Sequence, residues 1–305
     1  MMNTSKTILF FGTDAFSAPA LTALIDVGYS IAAVVTKPDS RSGRGQHLQA
    51  PIVKQIAEAH DIPVWQPASL NDIAADIAAL GDVAGVLSSY GKIIPADIIA
   101  LFSPGIINIH PSLLPLLRGP SPIETTILSG DHVSGISIMK LTERMDAGPL
   151  YVQQEIGLTG TETSAELYES MASQGAALLI ASLDAILDGH AEASAQDESL
   201  ASYTRLLKKE DSLIDPSSFT ATDIERRVRA FITYPKTKVV IGKQLITVLK
   251  ARAIFESTVA GAGAGASAGL IMTCQNESLL EIEELIGPSG KKMTGQAFKN
   301  GYAAG

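Results

Sequence analysis

The sequence, 305 residues long, has little of several features that would mark particular classes of protein. It contains a single cysteine, Cys274, which excludes an internal disulfide and a metal site built from several cysteines. Its uninterrupted apolar runs are short, so we expect no membrane span and no membrane partner. The stretch MMNTSKTILFFG lacks the apolar region and cleavage site of a secretory signal, and we therefore expect a cytoplasmic protein.

Short apolar runs alternate with amphipathic stretches in the first half of the chain, an order typical of an α/β fold with a doubly wound, mostly parallel sheet. The predicted strands are residues 7–12, 30–36, 62–65, 83–89, 106–110, 133–142 and 150–158. The predicted helices are residues 17–28, 51–60, 71–80, 95–102 and 163–189. The first strand-to-helix turn, FGTDAFS, lacks the Gly-x-Gly-x-x-Gly fingerprint, so a dinucleotide cofactor is not supported.

The pattern changes in the last third of the chain. Residues 189–207 are polar and without a steady period, which is typical of a linker. A helix at 224–232 and strands at 238–241, 244–254, 269–274 and 278–286 then predict a smaller C-terminal β-barrel of the OB-like kind. We expect domains at residues 1–188 and 208–305, and a low-complexity loop at 260–269.

The charge of the chain is unevenly distributed. The net charge is −9, which taken whole argues against a nucleic-acid partner. Residues 1–204 hold 9 basic and 22 acidic side chains, net −13, whereas residues 205–305 hold 14 and 10, net +4. A basic C-terminal part suggests separate partners for the two parts. Chance variation in surface charge is the alternative, and composition alone leaves both open.

The stretch INIHPSLLP places two polar side chains on one face of an apolar strand, because side chains alternate along a strand. The amide of Asn108 can donate hydrogen bonds to a developing oxyanion, and the imidazole of His110 can transfer a proton near neutral pH. Asp146 follows GISIMKLTERM in a turn-forming Asp-Ala-Gly-Pro, and its carboxylate could orient an imidazole. From the residues alone, a structural role is the more common one for such a pair at a strand end, and a catalytic role stays open beside it. No residue pattern indicates a metal site.

Several motifs resemble the folate-dependent formyltransferases: NIHPSLLP, the Arg118-Gly119 pair and GISIMKLTERMDAG. The resemblance implies a Rossmann-like formyltransferase domain in which Asn108, His110 and Asp146 surround a formyl carbonyl. Further motifs resemble those members of the family that formylate methionyl initiator tRNA. These are TKPD with Gly-Arg-Gly, RGPSPI, IERRVRAF and GKKMTGQAF. The resemblance therefore extends over nearly the whole chain.

The resemblance implies transfer of the formyl group of 10-formyltetrahydrofolate to the α-amino group of methionyl initiator tRNA, without a metal, for translation initiation. Folate contacts are implied for two loops, at residues Ser112, Leu113, Leu114, Pro115, Tyr90, Gly91 and Ile93. RNA contacts are expected from a basic loop at residues 37–49 and a basic helix, at Arg41, Arg44, Arg226, Arg227 and Arg229. We expect a monomer with no DNA partner.

Two other functions remain open at this point. A formyltransferase acting on the amine of a sugar nucleotide can share both domains, and the basic Gly-Arg-Gly loop favours tRNA over it. An RNA-binding relative without catalysis is disfavoured, because the amide, the imidazole and the carboxylate are all present. For the arginines, the plain alternatives are a solvated loop and the solvated face of an amphipathic helix.

Overall fold

The protein is described here by a computed structural model over residues 6–42, 47–254 and 269–302, in which the chain divides into two units. Unit 1 comprises the residues up to Pro122, Val133–Gly157 and Tyr168–Thr204. Unit 2 comprises Ile123–His132, Leu158–Leu167 and the residues from Arg205 onward. Each unit has its own sheet and its own apolar core.

Unit 1 is built on a seven-stranded sheet, in the order β5-β2-β1-β6-β7-β8-β9. The strands of this sheet are β1 (Thr7–Gly12), β2 (Ile31–Val35), β5 (Val64–Trp65), β6 (Val83–Ser88), β7 (Ile106–His110), β8 (Val133–Lys140) and β9 (Leu150–Gly157). Two further strands, β3 (Ser40–Ser42) and β4 (His47–Gln49), form a separate antiparallel pair. The first five strands of the order run parallel, whereas β8 is antiparallel to β7 and β9 to β8. The prediction of a mostly parallel α/β sheet is confirmed.

Six helices accompany the strands up to residue 187: α1 (Ala18–Val27), α2 (Ile52–Ala59), α3 (Ala74–Ala79), α4 (Ala96–Ile99), α5 (Pro122–Ser129) and α6 (Ser164–Leu187). Helix α1 ends at Gly28, whose φ of 89° is the left-handed conformation that glycine adopts without strain. Helix α6 is long and apolar enough to cross a membrane by length and composition. However, its side chains Met171, Leu179 and Leu183 are completely buried, as in a core helix of a globular domain.

The carboxyl ends of β1 and β6 mark the point where the chain reverses its direction across the sheet. From β1 the chain runs to β2 and β5 on one side, and then returns to β6 and β7 on the other. The Thr13 hydroxyl donates to the Tyr90 carbonyl oxygen at 2.9 Å and the Ser17 hydroxyl to that of Ser88 at 2.5 Å, which ties the two following loops together. Ligands of open α/β sheets bind at such a reversal.

Unit 2 contains an antiparallel sheet of five strands, with the path β10-β11-β13-β12 and β14 paired to β13. They are β10 (Thr237–Ile241), β11 (Gln244–Ile254), β12 (Leu270–Thr273), β13 (Leu279–Ile286) and β14 (Lys292–Thr294), with helices α7 (Ala221–Ala230) and α8 (Gly295–Tyr302). Ile224 and Val228 of α7 belong to one apolar cluster with residues of the sheet. The smaller C-terminal β domain is confirmed, and nearly all of the predicted loop at 260–269 lies outside the described residues.

Most of the segment predicted as a linker is attached to unit 1. The backbones of Ser194 and Leu150 exchange two hydrogen bonds of 2.8 Å, and the Ser202 carbonyl oxygen accepts from the backbone N–H of Arg118 at 2.9 Å. Most of residues 189–204 are exposed, which accounts for their polar composition, whereas these contacts use backbone atoms. The domain limits of 188 and 208 stay a prediction.

Candidate active site

Strand β7 holds Asn108 and His110 at the carboxyl edge of the unit 1 sheet. Both side chains are only 5% exposed, although both are polar. Between them Ile109 lies on the other face, where it contacts Gly175 of α6, and a Cβ at Gly175 would come within 2.8 Å of its side chain. This close helix contact positions the strand, and the alternation of the strand then directs both polar groups to the opposite face.

The structure brings His110 and Asp146 together. Nδ1 of His110 lies 3.8 Å from Oδ2 of Asp146, within reach of an ion pair when the imidazole is protonated but too long for a direct hydrogen bond. Nε2 lies 3.2 Å from the carbonyl oxygen of Leu117. Because a carbonyl oxygen only accepts, Nε2 carries a proton in this arrangement. Nδ1 is therefore the ring nitrogen left for a substrate.

Asp146 is held in its turn by local backbone conformation and by one hydrogen bond. Its φ of 48° is left-handed, which aspartate tolerates better than most residues. Its Oδ2 accepts from the backbone N–H of Gly119 at 2.8 Å. The same oxygen faces the imidazole, so the carboxylate is directed at His110 by a group 27 residues away in the chain.

His110 and Asp146 each use one side-chain atom in a hydrogen bond, whereas the Asn108 amide uses none of its donors or its acceptor among the described residues. Within the part of the chain that the structure describes, its side chain forms no hydrogen bond. Its neighbours in the sheet are Leu87 of β6 and Met139 of β8, which are apolar. The two amide N–H donors are therefore available to a ligand at this edge.

The loop of Ser112, Leu113, Leu114 and Pro115 is tied to β8 and β9. The Ser137 hydroxyl donates to the Ser112 carbonyl oxygen at 2.6 Å and accepts from the Leu114 backbone N–H at 3.1 Å. Leu114 is buried and the Ser112 hydroxyl donates to a carbonyl oxygen within the loop, whereas Leu113 and Pro115 are half-buried. Of the four, Leu113 and Pro115 present the accessible apolar surface.

The loop that follows β6 divides its predicted ligand contacts between core and surface. Tyr90 is 1% exposed, its hydroxyl has no hydrogen-bond partner in the described chain, and burial raises its pKa to about 12. Gly91 has a φ of 69°, and the Lys37 ammonium occupies the space that a Cβ there would take. Ile93 is 81% exposed. The Tyr90 side chain therefore belongs to the core, and Ile93 and the Gly91 backbone are open to solvent.

An acidic group that the sequence analysis did not select lies in the β1–β6 crevice. The Asp14 carboxylate accepts from the Ser89 hydroxyl at 2.6 Å and from the Phe16 backbone N–H at 3.0 Å. Burial raises the pKa of Asp14, and these hydrogen bonds together with the Lys37 charge oppose the rise only in part. Its position directly after a buried strand was the available signal.

The basic segment that follows β2 begins at a fixed point. Asp39 accepts hydrogen bonds from the Lys54 ammonium at 2.9 Å and from the Gln66 amide at 2.8 Å. Both partners lower the Asp39 pKa, and the Gln66 hydrogen bond has the larger effect. Arg41 is exposed on β3, which pairs with β4, so the predicted loop contains a short hairpin. Arg44 lies outside the described residues.

The three predicted RNA contacts of α7 are engaged within unit 2. Arg226 donates to the Ser129 carbonyl oxygen at 3.2 Å, and Arg229 holds Glu225 at 2.6 Å. The Arg227 guanidinium lies 4.2 Å from the ring centroid of Phe219, and burial lowers its pKa. These contacts give each arginine a structural role, and RNA binding by them stays a prediction.

The described residues hold no group of three or more His, Cys, Asp or Glu side chains that could bind a metal ion. The site is thus a cluster of one amide, one imidazole and one carboxylate at the open edge of an α/β sheet. Such a cluster can donate hydrogen bonds to an oxyanion and carry a proton, which suits acyl transfer.

Comparison with known proteins agrees with that chemistry. The family model described as formyl transferase matches residues 6–183, and that of the formyl transferase C-terminal domain matches residues 206–303. Fold and family models together define the class of the protein as a formyl transferase.

The relatives narrow the class. A methionyl-tRNA formyltransferase of Methylobacillus flagellatus is 35% identical over 96% of this chain and 96% of its own length. One of Herpetosiphon aurantiacus is 38% identical over 93% and 94% of the two chains. The chain belongs to the methionyl-tRNA formyltransferase family. A crystal structure of an N-formyltransferase from Helicobacter canadensis, in complex with folinic acid and dTDP-3-aminofucose, has a TM-score of 0.67 and 16% identity, and covers 91% of this chain and 98% of its own. That likeness concerns the fold alone.

Proposed function

We propose that the protein transfers the formyl group of 10-formyltetrahydrofolate to the α-amino group of methionyl initiator tRNA, and so acts in translation initiation in the cytoplasm. The observation that carries the proposal is the convergence of Asn108, His110 and Asp146 at one sheet edge. The chain has this cluster in a family whose members bear the name of that activity.

The reaction joins an amine nitrogen to the formyl carbon and breaks the bond from that carbon to N10 of the folate. The attacking α-amino group must be neutral, and since such groups titrate near pH ~8, part of the population is ready without a strong base. Addition places a negative charge on the formyl oxygen. The amine then loses a proton and N10 gains one, so atoms and charge balance.

Asn108 and protonated His110 hydrogen-bond the developing oxyanion. The amide has free donors, and Nδ1 of His110 is the ring nitrogen not directed at Leu117. One such donor lowers a barrier by about 3 to 4 kcal/mol in a site that excludes water, and Asn108 and His110 are each only 5% exposed. Both groups are preorganised, since the strand and a carbonyl oxygen orient them before substrate binds.

Asp146 lies 3.8 Å from the imidazole and stabilises the positive charge that the ring carries in the transition state. Because the 3.8 Å between Nδ1 and Oδ2 is too long for a hydrogen bond, the Nδ1 proton is available to the oxyanion. The proton delivered to N10 passes through His110 or through a water molecule held by Asp146. Both routes use groups on the same side of the sheet edge.

The folate donor lies against the two loops beside the cluster. Leu113, Pro115 and Ile93 offer apolar surface, and the backbone around Gly91 offers hydrogen-bonding groups. Ser112, Leu114 and Tyr90 shape these loops from within, because their side chains are buried. No metal takes part in this proposal.

The tRNA partner is bound through phosphate contacts of the basic residues, with Arg41 and Arg44 as the contacts of the catalytic domain. We expect binding of charged initiator tRNA to weaken as salt rises, because each neutralised phosphate releases counterions. Replacing Arg41 by Gln would lower the slope of log affinity against log salt by about 0.7 to 0.9 if it contacts a phosphate.

Replacing Arg227 by Gln separates the two roles of α7: an RNA contact changes the slope, and a structural contact lowers the melting temperature instead.

The test supplies 10-formyltetrahydrofolate together with charged initiator tRNA, or with an amino sugar nucleotide, and identifies the formylated product by mass spectrometry. Formylated methionyl-tRNA is expected; transfer to the sugar alone would defeat the proposal.

His110→Ala should abolish turnover, and Asn108→Ala should lower kcat by about 100- to 1,000-fold. Both should keep tRNA binding near that of the parent protein. The control is Gln154→Ala, which also removes a side-chain amide. Gln154 lies on β9 and contacts Gln174, and the variant should keep full turnover. Unchanged turnover in His110→Ala would contradict the assignment of His110, whereas tRNA binding without any turnover in the parent protein would favour a non-catalytic RNA-binding protein.

A further inference from the structure

One arginine of unit 1 is enclosed completely by the protein. The Arg118 side chain is 0% exposed. Its guanidinium makes hydrogen bonds to Gln196 Oε1 from Nε and Nη2 (3.1 and 2.8 Å), to Glu198 from Nη1 and Nη2 (3.3 and 2.9 Å), and to the Tyr203 hydroxyl from Nη1 (3.1 Å). An arginine side chain has five N–H donors, so all are used. Arg118 has no donor left for a substrate or an RNA phosphate.

The charge of Arg118 is balanced by Glu198. Hydrogen bonds from Arg118 and then Arg144 hold the Glu198 pKa at about 2, so the carboxylate is ionised at neutral pH. Arg144 reaches Glu198 at 2.7 Å from the solvent side, and its own side chain is 67% exposed. The inner arginine and the outer one thus share a single carboxylate, but only the inner one contacts Gln196.

Gln196 transmits the position of Arg118 to the turn that carries Asp146. Its Oε1 faces the guanidinium, so its Nε2 faces the other way. There Nε2 donates to the carbonyl oxygens of Asp146 at 2.8 Å and Gly148 at 2.7 Å. The reversed amide would place an oxygen against two carbonyl oxygens and an N–H₂ group against a guanidinium. Arg118 therefore determines which way the Gln196 amide points. Gln196 in turn binds two backbone carbonyl oxygens of the Asp146 turn, those of Asp146 and Gly148.

The backbone on either side of Arg118 holds the reacting side chains themselves. Before it, the Leu117 carbonyl oxygen faces His110 Nε2 at 3.2 Å. After it, the Gly119 N–H donates to Asp146 Oδ2 at 2.8 Å. The segment is fastened by the Ser202 carbonyl oxygen, which accepts from the Arg118 N–H at 2.9 Å. One three-residue segment thus contacts the imidazole, the carboxylate and, through Gln196, the turn that carries Asp146.

We propose that Arg118 and Gln196 are positioning residues that set the geometry of the His110–Asp146 pair. The inference rests on the proposed function, because that function gives the pair its role in formyl transfer. The direct contact of the pair, at 3.8 Å, is too long to determine the orientation of either group. Their orientation comes from the segment around Arg118, and neither positioning residue contacts a reacting atom.

The decisive variant is Gln196→Glu. It keeps an acceptor for Arg118 and nearly the same volume, but it replaces the two donors to the Asp146 turn by an oxygen. We expect kcat to fall by up to about 100-fold, as for a displacement of about 1 Å in a reacting group, with the KM values for folate and tRNA unchanged. Arg144→Gln is the matched control, since it touches the same network from outside and should leave kcat at the level of the parent protein.

A second variant and a second measurement keep the proposal open to contradiction. Arg118→Lys retains the positive charge, but an ammonium lacks the planar guanidinium geometry that orients Gln196. Its kcat should therefore fall by about as much as that of Gln196→Glu. The ring ¹⁵N signals of His110, assigned by their loss in His110→Ala, should shift in both variants and stay in place in Arg144→Gln. Wild-type kcat with unshifted ring signals would overturn the proposal. So would a loss of activity matched by a melting temperature at or below the assay temperature, because it would show a merely structural role.

The two proposals fail separately. If the unaltered protein formylates no charged initiator tRNA, the proposed function fails, yet the ¹⁵N signals of the variants still decide whether Gln196 orients His110. If transfer proceeds and Gln196→Glu is as active as Arg144→Gln, the positioning role fails and the proposed function stands.

Discussion

Gly119 combines two constraints on a single residue. Its φ is 113°, a conformation that L side chains rarely adopt, and a Cβ would come within 2.8 Å of the Thr204 carbonyl oxygen. Its N–H also donates to the Asp146 carboxylate. Any side chain here must displace either residues 117–119 or the segment around Thr204, and the Asp146 contact would move with them.

We therefore predict that Gly119→Ala destabilises unit 1 by about 1 to 3 kcal/mol and lowers kcat. Gly28→Ala is the control, because its φ is 89° but nothing lies within 4 Å of a Cβ there, so it isolates the conformational part. Thermal unfolding followed by fluorescence measures both, since the single tryptophan, Trp65, lies in unit 1. Equal melting temperatures for the two variants would show that the contact with Thr204 is relieved without cost.

The chemistry-bearing residues differ in how far the sequence alone could identify them. Asn108 and His110 are two residues apart on one strand, so the alternation predicts their common face. Leu117 and Gly119 act through backbone atoms, and a backbone carbonyl or N–H has no sequence signature. Arg118 stands in a recognisable motif, but its partners Gln196 and Glu198 are 78 and 80 residues away.

At the scale of elements, α7 shows how a helix start is encoded locally. The Thr220 hydroxyl accepts from the Asp223 backbone N–H at 3.2 Å, and the Asp223 carboxylate accepts from the Thr220 N–H at 3.1 Å. This reciprocal pair satisfies backbone donors that the first turn leaves without partners. The sequence of α7 is compatible with the pairing of Arg229 and Glu225, which are four residues apart on the helix. The partners of the other two arginines could not be assigned, because Phe219 and Ser129 lie outside the predicted helix.

We predict that Thr220→Ala destabilises the start of α7 by about 1 kcal/mol, which is the typical value for loss of a side-chain cap. Thr222→Ala is the matched control, since it makes the same change inside the helix, where alanine is favourable. Hydrogen exchange of the peptide covering α7 should be about fivefold faster in Thr220→Ala and no faster in Thr222→Ala. The same exchange rate in both variants would contradict a capping role.

The short pair β3–β4 and the segment at 189–204 were expected to be loop and linker, because neither has an apolar period. Asp39 fixes the start of the first by polar contacts, and Ser194 joins the second to β9 by backbone bonds. Patterns of hydrophobicity report burial of apolar side chains, so elements held by polar contacts give no such signal.

For the whole molecule, folding shifts the titration of carboxylates in both directions. Hydrogen bonds from Thr159 and Gly160 lower the Glu162 pKa to about 2 in spite of the opposing effect of burial, and the Arg205 guanidinium holds that of Asp211 at about 2. A depressed pKa in the folded state contributes stability that is present above the unfolded value and lost as pH falls toward 2. Burial raises the pKa of Glu124, so its contribution has the opposite sign and weakens the fold as pH rises.

We predict that Glu162→Gln is less stable than the parent protein at pH 7, and that the difference shrinks as pH falls from about 4.5, the ordinary glutamate value, toward 2. Denaturant unfolding of both proteins at a series of pH values measures the difference. A gap that is the same at pH 7 and at pH 3 would show that the hydrogen bonds to Glu162 do not depend on its charge.

Sequence by itself determined the order of strands and helices, the two-part architecture and the family, because hydrophobic period, turn residues and contiguous motifs are local properties of the chain. It also placed an amide and an imidazole on one strand face. Only the tertiary structure decided that Asp146 meets His110, that an enclosed arginine orients Gln196 toward the turn that carries Asp146, and that the α7 arginines have partners inside unit 2. The first two of these, and the contact of Arg226 with Ser129 in the third, join residues distant in the chain, and such contacts form only when the chain is folded.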